Sequence, residues 1–396
     1  MENRPAYSVE KPRAGARFTL DGSPELERHL ARACERVREA VQEAVPSRVL
    51  EAVVLGGGYG RGQGGVLRKA SGDRPYNDLE FYVLMRGNLL LNDRRYGGLL
   101  EKAAKGLSPE AGVHVELKIT SRGKFERSPV SMFSYDLAAG HRIFFGDADL
   151  FRNCAHHLEA GKIPLHEATR LLFNRCSGLL LAKDFLQCSW FGSAEADFVG
   201  RNLAKAQLAF GDAVLTVFGQ YHWDCRERHA RLMALTVSEE LPWLSEVRRQ
   251  HAAGMEFKLH PVITPPEVRE QLEEQHEELA ILGRKVWLWV ESRRLKRTFA
   301  SSRSYALAPV RKCPESPAWR NVLLNMRTFG VGGLLGGGTL RYPRERLFNA
   351  LNLLLWDERR AESEECRRTL RRNLRVARAA WPDLLSAYQK IWHSYG

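Results

Sequence analysis

The sequence has no apolar run close to the ~20 residues that a membrane-crossing helix needs, so no helical span and no membrane partner are expected. Its seven cysteines are scattered singly, with no C-x-x-C pair. That absence argues against a disulfide framework and a zinc site, and predicts a protein of the reducing cytoplasm. Residues 1–17 are polar and charged and lack the apolar centre of a secretory signal. No segment repeats another. Acidic residues are in deficit, 47 against 60 Lys and Arg, for a net charge of +13. The imbalance favours acidic partners such as nucleotides and nucleic acids.

What is present suffices for more than one core: 396 residues, 44% of them hydrophobic. Leu26, Leu30, Ala33, Val37, Val41 and Val45 recur at three- and four-residue steps, which predicts an amphipathic helix over 24–45. Strands are predicted at 49–55, 79–84, 113–119 and 142–145, with a helical piece at 96–105. After residue 150 the pattern is helical almost throughout, with a break at Pro265-Pro266 and loops at 301–317 and 330–339. The expected fold is therefore an α+β N-terminal domain, a small mixed sheet with helices over 24–150, followed by a large all-α region. That region divides into a helical bundle module at 151–240 and a second helical module at 266–396.

The chemistry-bearing stretch follows the first strand. It runs Gly56-Gly57-Gly58-Tyr59-Gly60-Arg61-Gly62-Gln63-Gly64-Gly65, and Asn77-Asp78-Leu79-Glu80-Phe81 begins the next strand. The glycines let the backbone bend and approach a phosphate chain closely. Residues two apart on a strand point the same way, so Asp78 and Glu80 project side by side. Two such carboxylates repel unless a cation lies between them or one binds a proton. A P-loop is ruled out, because no Gly-Lys-Ser/Thr follows the glycines. A dinucleotide fingerprint competes: Gly60-x-Gly62-x-x-Gly65 matches its spacing, and an acid follows about 20 residues on. It requires a long helix opening at the glycines, for which 66–75 leaves little room.

Gly57-Gly58-Tyr59-Gly60-Arg61-Gly62 followed by Asn77-Asp78-Leu79-Glu80-Phe81 resembles the signature of the DNA polymerase β-like nucleotidyltransferase superfamily. The likeness covers residues 45–150. Gly58 stands where that family usually has serine, and Glu80 where it usually has a second Asp. The resemblance implies transfer of a nucleoside monophosphate from an NTP, ATP being the first candidate, with release of pyrophosphate. It implies Asp78 and Glu80 as catalytic ligands of Mg²⁺ or Mn²⁺, with Glu116 as a third acid on the later strand. It further implies that Gly57, Gly58, Arg61 and Gly62 bind the nucleotide. The residues also admit blander roles: Glu116 as a surface acid paired with Lys118, and Arg61 in a structural salt bridge. The acceptor is open among a small molecule, a protein and RNA. The alternative is a nucleic-acid-binding or regulatory protein on an inactive nucleotidyltransferase fold.

Three further stretches attract notice. Arg152-x₄-His157 matches a pattern used by some helical ribonucleases, although chance explains it better. Residues 284–312 carry nine Lys and Arg against the single acid Glu291, with Trp287, Trp289, Phe299 and Tyr305 interleaved. That mixture suits nucleic-acid binding, or equally a helix with an apolar core stripe of Val286, Trp289 and Val290 and a basic outer face. A second glycine cluster, Gly332 to Gly338, reads as a flexible loop or lid.

Overall fold

Helical spacing and capping set the first element. In the computed structural model, which describes residues 17–237, 241–330, 338–357 and 363–395, helix α1 spans Pro24–Ala44. Ser23 caps it by accepting from the Leu26 N–H, and the proline sits in the first turn, where its missing N–H costs nothing. Leu26, Leu30, Ala33, Val37 and Val41 are buried, as their spacing predicts.

Strand β1 (Leu50–Leu55) leads into a single helical turn, α2 (Gly57–Gly60), and then a two-stranded ribbon of β2 (Val66–Leu67) and β3 (Arg74–Pro75). β4 (Leu79–Met85), α3 (Leu89–Ala111), β5 (Val115–Thr120), α4 (Arg122–Glu126), α5 (Met132–Ala139) and β6 (Arg142–Phe145) follow. The four-stranded sheet has the order β5-β4-β1-β6. β1 runs antiparallel to both β4 and β6, whereas β4 and β5 are parallel. A parallel pair needs a long crossover, and α3 supplies it. α3 is longer than its apolar periodicity suggests, because its start carries exposed Leu90 and Leu91. Asn88 sets that start by accepting from both of their N–H groups, and Gly112 ends the helix in the left-handed region.

Both faces of the sheet are covered. Leu55, Phe81, Val83 and Met85 pack with α1 and α3 residues such as Leu30, Val37 and Leu100. Tyr82 and Leu84 pack on the opposite face with Phe125, Leu137 and Phe151. Glu80 shares the parity of Tyr82, so it lies on this second face. Arg152 and His157 fall in a 3₁₀ segment, Arg152–Leu158. His157 is fully buried against Phe125, bonding its carbonyl at 3.0 Å, and Arg152 pairs with Asp149. Both roles are structural.

The remaining helices are α6 (Leu165–Gln187), α7 (Ser193–Val217), α8 (Cys225–Ala234), α9 (Leu244–Leu259), α10 (Arg269–Leu295), α11 (Ser302–Leu307), α12 (Ala318–Phe329), α13 (Pro343–Trp356), α14 (Glu364–Leu374) and α15 (Trp381–Tyr395). The chain folds as two units. The first unit adds Phe218–Leu235 and Ala252–Val262 to the chain up to Pro164. The reason is apolar: Tyr221, Cys225, Leu232 and Leu259 are buried. Within this unit Tyr221 packs edge-on against Tyr135 at 5.8 Å, and Phe257 against Tyr76 at 6.0 Å.

The second unit takes Leu165–Val217, Thr236–His251 and the chain from Ile263 onward, and its described elements are all helical. Trp287 is fully buried at its centre, ringed by Tyr305, Phe348 and Trp356 at 5.4–5.9 Å. The basic stretch 284–312 thus turns most of its aromatic faces inward: Trp287, Phe299 and Tyr305 are buried, and Trp289 meets Trp243 edge-on. Their faces are occupied by the core rather than open to bases. Within the expected loop 301–317, Ser301 and Ser304 form a capping box that starts α11. Most of the second glycine cluster lies outside the described residues. No described helix is long and apolar enough to cross a membrane.

Candidate functional site

The turn after β1 is built by glycine where side chains would collide. Gly57 has φ +62°, and a Cβ there would lie 3.0 Å from Glu80 Oε1. The Glu80 carboxylate therefore rests directly against the glycine turn. The backbone ties the same two segments together, since the Gly56 N–H donates to the Glu80 carbonyl at 2.9 Å. Gly58 and Gly62 complete the turn: the Gly58 carbonyl accepts from the Gln63 N–H at 2.8 Å, and Gly62 has φ +75°. Gly57→Ala is expected to cost about 1–2 kcal/mol, the price of a side chain in the left-handed region, and to displace the Glu80 carboxylate. Urea unfolding of the two proteins checks it.

Two residues outside the signature hold the connection to β4. Tyr59 is fully buried; its hydroxyl donates to the Gly65 carbonyl at 3.0 Å and accepts from the Tyr76 N–H at 2.9 Å. Burial pushes this phenol up to about 12, so it stays neutral and keeps donating. Asn77 Oδ1 accepts from the Gly65 N–H at 2.7 Å. The turn is thus pinned one residue before Asp78.

Asp78 stands at the entrance to β4, exposed, with no hydrogen bond or ion pair among the described residues. Glu80 is half-buried and accepts from the Tyr82 hydroxyl at 3.3 Å. Burial, then the Glu80 charge, raises the Tyr82 phenol well above its ordinary range. Glu116 is the register partner of Glu80 across the parallel β4–β5 pair. Between the two glutamates lies Lys118, its Nζ 2.8 Å from Glu116 and 3.7 Å from Glu80. Glu80 and Glu116 thus lie side by side with an ammonium group between them, Glu80 alone touches the glycine turn, and Asp78 stands two residues before it. Among the described residues no three His, Cys, Asp or Glu side chains are grouped so as to hold a metal ion. The donors left open are the Asp78 carboxylate and Glu80. Mg²⁺ is commonly held by one or two carboxylates with substrate phosphates filling other positions, and this pair fits that mode. Glu116, held by Lys118, is not free to join it in this arrangement.

Arg61 makes the structural salt bridge, with Asp136 of α5 at 3.1 Å. Asp136 also accepts from the Tyr221 hydroxyl at 3.3 Å, and that hydroxyl accepts from Arg228 at 2.7 Å. Beside them sits Lys258, whose ammonium burial drives down to about 8, with the Arg61 and Arg228 charges pushing the same way. Arg61 also lowers the Tyr82 phenol, against the glutamates, which puts its charge close to the acid group. Arg61 thus pairs with Asp136 directly, Arg228 reaches it through the Tyr221 hydroxyl, and Lys258 feels the charge of all three. Sequence reading finds only Arg61 of these. Arg228 and Lys258 come from the segments that join the first unit from beyond residue 217, and no local motif marks them.

Compared with protein-family models, with curated proteins and with solved structures, the chain matches none.

Proposed function

We propose that the chain is a Mg²⁺-dependent nucleotidyltransferase, with ATP as the first candidate donor. The observation that carries the reading is the contact of the Glu80 carboxylate with the Gly57 turn, with the Asp78 carboxylate open beside it. A glycine turn of the kind that can cradle phosphate touches one acid of the pair, and Arg61 extends from the same turn. In the proposed reaction an acceptor hydroxyl oxygen attacks the α-phosphorus of the NTP. Its bond to the bridging oxygen of the β-phosphate breaks, pyrophosphate leaves, and the hydroxyl proton passes to a base. Asp78 and Glu80 would hold the Mg²⁺ that arrives with the nucleotide, and the ion would neutralise charge on the triphosphate. Lys258 and Arg228 would suit the phosphate oxygens by charge. Glu116 is the available proton acceptor once Lys118 turns from it toward phosphate. The test is incubation of the full chain with each α-³²P-labelled NTP, Mg²⁺ and a cell extract. Label is expected on an acceptor, with pyrophosphate released. No transfer with any NTP would sink the reading.

Lys118 favours a second reading, nucleotide binding without transfer, because it occupies the position between the glutamates where a cation would bridge them. Lys118→Met is expected to raise Mg²⁺ affinity in the absence of nucleotide about tenfold, since it leaves the two carboxylates without an ammonium partner. Calorimetric titration with MgCl₂ measures it. A variant that gains Mg²⁺ affinity yet transfers nothing would favour the second reading.

A further inference from the structure

The second unit holds a polar cleft of about 270 Å³ between α13 and α14, with no role in the chemistry above. Arg346 forms its floor. The residue is 5% exposed, and its Nε and Nη1 donate to Asn325 Oδ1 and the Arg372 carbonyl, both at 3.3 Å. The guanidinium lies over the Phe329 ring at 4.8 Å, yet its Nη2 is buried without any hydrogen-bond partner. Gly338 packs against that nitrogen: a Cβ there would come within 2.8 Å of it.

The surroundings are positive. Arg341 and Arg372 line the cleft with Arg346, and no ion pair engages any of the three among the described residues. Burial above all, and then the charges of Arg375, Arg372 and Arg341, push the Arg346 guanidinium down to about 10. Glu345, the one buried acid among the described lining residues, makes no ion pair with them. Its two oxygens are used by the Lys312 and Cys313 N–H groups at 2.9 and 3.1 Å. Glu365 lies exposed at the rim. A buried cation with an unused donor and no counter-ion is costly, and a bound anion removes both costs together. One wall also offers an acceptor. Asn349 Nδ2 donates to Asn373 at 3.4 Å, while Asn349 Oδ1 is buried without a partner.

We propose that this cleft binds a small phosphomonoester. The phosphate oxygens accept from Arg346 Nη2 and from the Arg341 and Arg372 guanidinium groups, in the forked geometry that suits arginine to phosphate. A hydroxyl of the esterified group donates to Asn349 Oδ1. The cleft lies below the ~300 Å³ at which drug-sized sites begin, which selects a compact ligand over a nucleotide. The site stands independently of the transferase reading.

The test is calorimetric titration of the full chain with glycerol 3-phosphate, with inorganic phosphate, and with glycerol as the uncharged control. One saturable site for glycerol 3-phosphate is expected, with weaker phosphate binding and no glycerol binding. Arg372→Gln changes an exposed residue and so leaves the fold intact; it is expected to weaken binding about tenfold, the cost of one charge-assisted contact. Arg346→Gln is expected to weaken it at least as much, and if that variant fails to fold, Arg372→Gln decides alone. Arg61→Gln, in the other unit, should leave the affinity unchanged. The proposal is overturned if neither ligand binds saturably at 10 mM, or if binding is lost in Arg61→Gln and retained in Arg372→Gln.

Discussion

Asp78→Asn is expected to reduce nucleotidyl transfer by about 10²- to 10³-fold, the loss that follows removal of one group that stabilises transition-state charge. The substitution keeps the shape of the side chain and removes its charge. Asp78 is exposed and makes no hydrogen bond or ion pair among the described residues, so nothing in the fold depends on that charge. Stability should stay within about 0.5 kcal/mol of the parent, as at surface positions without partners. The contrast separates chemistry from folding: a large loss of rate with an unchanged unfolding curve. Glu80→Gln should lose rate in the same direction, but it also alters the acceptor of the Tyr82 hydroxyl, which makes it the less clean variant. Transfer in Asp78→Asn within twofold of the parent would remove Asp78 from the proposed metal site. Initial rates with α-labelled ATP at saturating Mg²⁺ are the measurement.

Much of this arrangement is legible along the chain because it obeys short periods. The stripe from Leu26 to Val41 marks α1, and alternation places Glu80 with Tyr82 rather than with Phe81. The same alternation puts Glu116 and Lys118 on one face, and the ion pair between them is the outcome. The acid group follows from strand parity plus one fact that local pattern leaves open, the parallel pairing that sets Glu116 opposite Glu80. What escapes is long-range. Residues 218–235 read as the tail of a helical module and 252–262 as part of a division between modules, and nothing local reveals that their buried Tyr221 and Leu259 complete the first unit. Arg228 and Lys258 are hidden for the same reason. The start of α3 escapes because a cap, rather than a stripe, defines it. In 284–312 the composition misleads: charge and aromatics suggest a nucleic-acid surface, whereas the rings of Trp287 and Tyr305 build a core. The lone acid in that stretch, Glu291, is the clue to the core, since one carboxylate among nine cations has an electrostatic task.

That task leads to the largest expected loss of stability. Glu291 is 1% exposed on α10, inside the second unit. It accepts from Thr169 Oγ1 at 2.6 Å and from the Tyr305 hydroxyl at 2.7 Å, and Arg294 donates to both its oxygens at 2.7 Å. Burial would lower the Arg294 guanidinium, yet the Glu291 hydrogen bonds and charge raise it above its ordinary value. Burial, and then the same carboxylate, holds the Tyr305 phenol well above its usual range. Glu291→Ala strands three buried donors at once and leaves Arg294 with Glu315, 3.7 Å away and partly exposed, as its remaining acid. The expected cost is about 3–5 kcal/mol, typical of breaking a buried pair by removing one partner. Against a total of about 5–15 kcal/mol, the second unit would be close to unfolding at growth temperature. The attraction itself is not what is lost, because desolvation offsets most of it. The double variant Glu291→Leu/Arg294→Leu should therefore recover a substantial part of the loss, since apolar replacement of a whole buried pair is often neutral. Urea titrations of the parent, Glu291→Ala and the double variant measure both effects. A cost below about 1 kcal/mol for Glu291→Ala would mean that water reaches the network and screens it. The basic helix would then be neutral to the loss of its only acid.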